Sequence, residues 1–199
     1  MRVIGITGGV GSGKSEVMTY IGKNYDASVV RADEVAHLLM QPGQSCYRPL
    51  MELLGPGFTD ECGNLDRKKM AVVIFGDEKM RRKVNAIVHP GVKKYIVEAI
   101  ERERREGTDF FFIEAALLIE DKYDEICDEL WYIYADEHVR RERLIKDRGY
   151  TEQKINEIMA SQLSEEDFGR HCDFEIDNSG DLADTIIQID RRMNTYETL

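Results

Sequence analysis

The sequence predicts an α/β protein in which strands alternate with helices, the pattern of a parallel sheet covered by helices on both faces. Three observations carry that expectation. The chain opens on a Val/Ile-rich run, Met1–Thr7, that breaks into glycines; two further apolar runs of strand length lie at Phe110–Ile113 and Leu130–Ala135; and the stretches between them have helical spacing. The 199 residues suit one domain with a small insertion, and 42% hydrophobic with 33% charged is an ordinary globular composition.

Taken in order, Met1–Thr7 is short, β-prone and bounded by glycines, so it reads as a buried strand. A helix is expected from about Gly13 to Asn24, and a second strand at Ala27–Ala32. Asp33 stands where that strand ends and is also suited to cap a helix over Glu34–Met40, which Pro42 and Gly43 stop. Gly55–Asn64 is loop-like, and Asp66 is an N-cap candidate for a helix to about Phe75, with helical patterning continuing through Arg81, Val84 and Ile87. Pro90 suits the first position of a longer helix, whose Val92, Ile96, Ala99 and Ile100 recur at three and four, with Gly107 as its stop. Phe110–Ile113 and Leu130–Ala135 are the expected central strands. A basic helix carrying Arg140, Arg141, Arg143, Lys146 and Arg148 ends at Gly149, and another follows from about Glu152 to Leu163. Asp173–Asp177 is the last strand, closed by Asn178–Gly180 before a C-terminal helix.

Charge and composition exclude several classes. With 27 Lys plus Arg against 38 Asp plus Glu the formal charge is −11, so no nucleic-acid partner is expected: there is no general polyanion surface, and any phosphate recognition must be local. No apolar run approaches the roughly 20 residues of a membrane helix, and the glycine-rich opening is unlike a secretory signal, so a cytoplasmic protein without a membrane partner is expected. Cys46, Cys62, Cys127 and Cys172 lie far apart and are expected to be reduced thiols; His37, His89, His138 and His171 are equally scattered, which argues against a protein-held transition metal.

The strongest motif is Gly8-Gly9-Val10-Gly11-Ser12-Gly13-Lys14-Ser15, a full match to G-x-x-x-x-G-K-[ST]. At average residue frequencies the pattern arises by chance in about one chain in a hundred of this length, and here it sits between an expected strand and an expected helix. Glycines allow consecutive N–H groups to turn inward, and the helix start adds the positive end of its dipole. Lys14 has the reach for β- and γ-phosphates, and the Ser15 hydroxyl suits Mg²⁺. The loop does not identify the phosphate acceptor. Asp33, at the end of the second strand, suits orienting or deprotonating an acceptor hydroxyl, joining a Mg²⁺ shell, or simply capping a helix.

Asp33 belongs to a longer series. The opening GITGGVGSGKS, the Val30-x-Ala32-Asp33 strand end, Gln41-Pro42-Gly43, Leu65-Asp66-Arg67, Asn85–Pro90, Leu117–Glu120 and Ile176–Gly180 together resemble the dephospho-coenzyme A kinase family, in order over nearly the whole chain. The resemblance implies a three-layer α/β/α P-loop kinase with a five-stranded parallel sheet, a helical acceptor-binding insertion at about 40–106 and a lid at about 137–170, within a single domain spanning 1–199. It implies ATP with Mg²⁺ as cofactors and dephospho-CoA as the small-molecule substrate, phosphorylated on its ribose 3′-hydroxyl in the last step of coenzyme A synthesis.

On the same resemblance Asp33, Lys14 and Arg143 are catalytic, and Gly9, Gly11, Ser12, Gly13, Lys14, Ser15, Glu16 and Arg148 bind the nucleotide. Asp33, Arg81, His89 and Glu120 serve the acceptor, and Ser15, Asp33 and Glu114 lie near the metal. Most arginines of the 140–148 helix also suit a solvated face paired with Asp136, Glu137 and Glu142. The chain departs from the family pattern at Arg31, Ala116, Asp147 with Arg148, Phe168 (where the family has lysine) and Glu16. These changes keep open a related kinase with another hydroxyl acceptor, or a nucleotide-binding paralogue with weak or no transferase activity. Oligomeric state is left open by the sequence.

Overall fold

The computed structural model describes residues 1–197. Its framework is a five-stranded parallel sheet of β1 (Arg2–Thr7), β2 (Ala27–Arg31), β3 (Phe110–Glu114), β4 (Glu129–Tyr134) and β5 (Phe174–Asp177), in the order β2-β3-β1-β4-β5. The helices described are α1 (Lys14–Asn24), α2 (Ala32–Leu39), α3 (Tyr47–Leu54), α4 (Arg67–Gly76), α5 (Glu78–Glu106), α6 (Glu137–Arg148), α7 (Glu152–Ala160), α8 (Glu165–His171) and α9 (Leu182–Glu197). β1 is central: Ile6 pairs with Glu114 on one side and with Trp131 on the other. After β1 the chain builds β2 and β3 on one side of it and then crosses to β4 and β5 on the other, so the carboxyl end of β1 is a switch point, where open α/β sheets bind ligands.

The chain divides into two compact units, Met1–Val29 with the chain from Glu103 onward, and Val30–Arg102. In the first, Ile4 and Ile6 of β1 pack with Val17, Met18 and Ile21 of α1, Phe112, Trp131, Ile176, and Ile189 with Met193 of α9, all essentially inaccessible. Full burial of each such side chain contributes about 1.5–3 kcal/mol, and β1 therefore holds the glycine loop on a rigid base.

In the second unit, Asp66 caps α4 as expected, its carboxylate accepting the N–H groups of Lys68 and Lys69 at 3.1 Å. Three expectations are corrected. Asp33 does not cap a helix: α2 begins at Ala32, its cap position is Arg31, and no side chain bonds the first turn, so Asp33 lies within that turn and is exposed. Pro90 does not start a helix either. Val84, Val88, Val92, Ile96 and Ile100 form one buried stripe along α5, and burial on both sides carries the helix through the proline. The local cost is one N–H, which the carbonyl of Ala86 would otherwise accept. Finally, α3 and α8 are helices where none was expected.

Candidate functional site

The site in the first unit is built on the carboxyl edge of the sheet, where β1 opens into the Gly8–Ser15 loop and the loop into α1. At Gly13 φ is +89°, and a Cβ there would lie 2.1 Å from Asn178 Nδ2, so both conformation and space demand glycine. Asn178, just past β5, uses that closeness: its Nδ2 donates to the Ser12 carbonyl at 2.7 Å, its Oδ1 accepts from Thr185 Oγ1 at 2.7 Å, and its N–H donates to the Tyr134 carbonyl at 2.8 Å. One buried amide thus ties the loop, β4, β5 and α9 together.

The opposite side of the loop is held by α6. A Cβ on Gly9 would fall 2.5 Å from the Arg140 guanidinium carbon. Arg140 is 8% exposed; its Nε donates to the Val10 carbonyl at 3.0 Å and its Nη2 approaches Gln162 Oε1 at 3.4 Å. The same Gln162 oxygen accepts the Val10 N–H at 3.0 Å. Both backbone polar groups of Val10 are therefore held by side chains from the 137–170 region. Arg140 is not part of a solvated face, because its charge is spent on the loop backbone.

The other arginines differ. Arg141 pairs with Glu137 at 2.7 Å and Glu152 at 3.0 Å, the paired-face arrangement expected. Both carboxylates raise the Arg141 pKa, the hydrogen bond to Glu137 most strongly. Arg143 Nη2 donates to the Asn178 carbonyl at 2.9 Å, while its Nη1 is buried with no hydrogen-bond partner among the described residues. Arg148 is exposed in the last turn of α6, beside Asp147 and before Gly149, whose φ of +62° ends the helix.

Lys14 Nζ donates to the Gly8 and Gly9 carbonyls at 2.8 and 3.2 Å, which keeps the ammonium folded over the loop. Ser15 is exposed in the first turn of α1. Glu16 turns back toward the loop, its Oε2 lying 3.3 Å from the position of a Gly13 Cβ. The buried hydroxyls of Thr7 and Ser12 have no hydrogen-bond partner among the described residues. Unmade polar bonds of this kind cost about 1–3 kcal/mol each, and here both lie at the glycine loop, Thr7 at its start and Ser12 within it.

Glu114, half-buried, ends β3 in register with Ile6 and so stands beside the strand that opens into the loop. Ala116 and Glu120 are exposed in the turn after it. At the end of β4, Tyr134 donates to Asp136 Oδ1 at 2.7 Å, and that bond, with burial, raises its hydroxyl to about 12. Phe168 is buried and stacks on Tyr132, with centroids 4.8 Å apart and an interplanar angle of 12°. Arg170, two residues on, is paired with Glu166 on an exposed face.

In the second unit Asp33 and Arg81 are exposed, and His89 is half-buried on α5 one residue before Pro90. Arg31 is paired with Glu34 at 3.4 Å. Among the described residues, no group of three or more His, Cys, Asp or Glu side chains is arranged to hold a metal ion, and no helix is long and apolar enough to cross a membrane. Gln162, which bonds the loop across more than 150 residues, and Thr185, which holds the Asn178 amide that bonds the loop, are not announced by the sequence.

The family model described as "Dephospho-CoA kinase" matches residues 2–184. The chain is 36% identical over 199 residues to the dephospho-CoA kinase of Aquifex aeolicus, covering 100% of this chain and 98% of that protein. It is 35% identical over 190 residues to that of Symbiobacterium thermophilum, covering 96% and 79%. In fold it is similar to the solved dephospho-CoA kinase from Campylobacter jejuni, with a TM-score of 0.73 at 18% identity over 98% and 96% of the two chains. A crystal structure from Thermus thermophilus superposes with a TM-score of 0.82 at 24% identity, over 98% and 97%.

Proposed function

This chain belongs to the dephospho-CoA kinase family, a family of phosphotransferases, and from that membership we propose that it transfers the γ-phosphoryl group of ATP to the ribose 3′-hydroxyl of dephospho-CoA. Family membership carries the acceptor, and the observation that carries the nucleotide side is the loop: Gly8–Ser15 is clamped from two sides by Arg140 and Asn178, Lys14 is folded over it, and the buried Thr7 and Ser12 hydroxyls have no hydrogen-bond partner among the described residues. Such a loop presents pre-oriented N–H donors to a polyphosphate at the start of α1.

In this reading Asp33 accepts the proton of the 3′-hydroxyl as its oxygen attacks the γ-phosphorus. The bond from that phosphorus to the β,γ-bridging oxygen breaks and ADP leaves. Lys14 exchanges two carbonyl contacts for charged phosphate oxygens, which make stronger hydrogen bonds. Arg143, anchored through one nitrogen on Asn178 and carrying a buried second one, supplies positive charge to the transferring group, with Arg148 and Glu16 beside the nucleotide. Arg81 and His89, in a helical acceptor region at about 40–106, serve the acceptor together with Glu120 in the turn after β3, and a lid spans about 137–170.

By the family resemblance Ser15, Asp33 and Glu114 would serve the Mg²⁺ of the reaction, each through oxygen, the donor type that a hard cation takes. When bound, Mg²⁺ neutralises charge on the β- and γ-phosphates. A cytoplasmic location accompanies this reading. An ADP-release assay with dephospho-CoA, adenosine, other nucleosides and no acceptor tests it. Turnover confined to dephospho-CoA is expected; turnover confined to another hydroxyl, or tight ATP binding with no turnover, would overturn it.

A further inference from the structure

Asn178 holds the loop with one end of its amide, and the other end is held from α9. The Ser12 carbonyl can only accept a hydrogen bond, so the amide must turn Nδ2 toward it and leave Oδ1 behind. Thr185 Oγ1 donates to that oxygen at 2.7 Å. Thr185 is 0% and Asn178 1% exposed, so bulk water has no access to replace either bond.

A helical threonine can turn its hydroxyl back to the carbonyl four residues earlier. For Thr185 that carbonyl belongs to Asp181, which already accepts the N–H groups of Asp184 at 3.0 Å and of Thr185 itself at 3.4 Å, so the hydroxyl is left for Asn178. The helix that carries it is fixed against α1. Asp190 Oδ1, five residues on, accepts the Tyr20 and Tyr25 hydroxyls at 2.8 and 2.6 Å, and Ile189 and Met193 lie in the core.

The Ser12 carbonyl and the Gly13 N–H belong to one trans peptide and point in opposite directions. Holding the carbonyl on a buried amide therefore turns the Gly13 N–H away from the interior, to the side from which an anion meets the start of α1. The backbone of Asn178 is held separately: its N–H donates to the Tyr134 carbonyl at 2.8 Å, and its carbonyl accepts from Arg143 Nη2 at 2.9 Å. Loss of the side-chain bond thus loosens the loop and leaves Arg143 anchored.

We propose that Thr185 is a positioning residue for nucleotide binding, which fixes the direction of the Gly13 N–H through the Asn178 amide; the inference rests on the ATP reading of the loop proposed above. Without the Thr185 hydroxyl, the Asn178 oxygen is buried and unpaired, and the amide leaves Ser12 to regain a partner. Nucleotide binding must then restore the loop.

Thr185→Val keeps the shape of the side chain and removes the hydroxyl, whereas Thr185→Ser keeps the hydroxyl. In calorimetric titration with a non-hydrolysable ATP analogue, Thr185→Val should weaken binding by about tenfold and Thr185→Ser by much less. The KM for ATP should rise in parallel, with kcat and the KM for dephospho-CoA nearly unchanged. In an Asn178→Ala background Thr185→Val should cause no further loss, because the two residues act as one unit. Unchanged analogue affinity in Thr185→Val, even with a lower melting temperature, would reduce Thr185 to packing and overturn the proposal. Equal losses in the Val and Ser variants, or a second full loss on top of Asn178→Ala, would overturn it as well, and both leave the ATP reading standing. Failure of the unmodified protein to bind the analogue would overturn that reading and the proposal together.

Discussion

Arg140→Met removes the guanidinium that packs against the phosphate loop and keeps a flexible apolar stem in its place. The main loss is the bond from Nε to the Val10 carbonyl at 3.0 Å, made by a side chain with 8% exposure. Hydrogen bonds from charged groups contribute about 1.5–3 kcal/mol. With the loop less ordered before binding, the nucleotide must restore its geometry, so the loss appears as weaker ATP binding of about 10- to 150-fold, at 1.4 kcal/mol per factor of ten. Titration calorimetry with a non-hydrolysable ATP analogue, beside steady-state kinetics, reads this directly: the KM for ATP rises and kcat falls by much less. A drop in kcat of about 10³ with nucleotide binding intact would instead place Arg140 on the transferring phosphate and refute the clamp. Unchanged KM and kcat would show that Gln162 holds Val10 alone.

Asp33→Asn is expected to lose about 10²–10⁴-fold in kcat while ATP binding is kept; near-normal turnover would remove Asp33 from the proton transfer. Gly13→Ala imposes a Cβ at φ +89° and 2.1 Å from the Asn178 amide, so it should cost about 1–3 kcal/mol in denaturant unfolding and abolish ATP binding, whereas normal ATP affinity would contradict the described loop. Phe168→Ala deletes a buried ring stacked on Tyr132 and should destabilise the protein by about 3–5 kcal/mol in urea; a change confined to turnover would mark Phe168 as a catalytic position. The backbone N–H and side-chain amide of Asn64, followed by the N–H groups of Cys62 and Gly63, hold the Asp60 carboxyl below its ordinary range. A lowered folded-state pKa favours folding above the unfolded value, and that contribution is lost as pH falls through the folded one. Amide protection factors in the 60–64 turn, which remove the intrinsic pH dependence of exchange, should therefore fall in acid, and should lose this dependence in Asp60→Asn.

The parts legible in the sequence are those whose cause is local. Gly13, Gly107 and Gly149 sit where positive φ is required, and Asp66 caps its helix through its own second and third neighbours. The strand order is another matter, because β1 meets β3 across more than 100 residues and no local pattern encodes that choice. The arginine helix shows the same limit. Arg140, Arg141 and Arg143 are nearly adjacent in sequence, yet one holds a loop, one pairs on the surface and one anchors on Asn178, because helical spacing points them in different directions. Pro90 points to a helix start because a proline signal is local, whereas the stripe from Val84 to Ile100 that overrides it spans several turns. The start of α8 was available: Ser164 accepts the Asp167 N–H, and Ser-x-x-Asp is a capping pattern.

Phosphorus-31 and proton NMR of the product formed from ATP and dephospho-CoA test the central claim most directly. The account predicts a new phosphomonoester coupled to the ribose 3′ proton, formed with one ADP per ester and about 10²–10⁴-fold more slowly with Asp33→Asn. A phosphate on any other oxygen, or ADP released without a new ester, would contradict it.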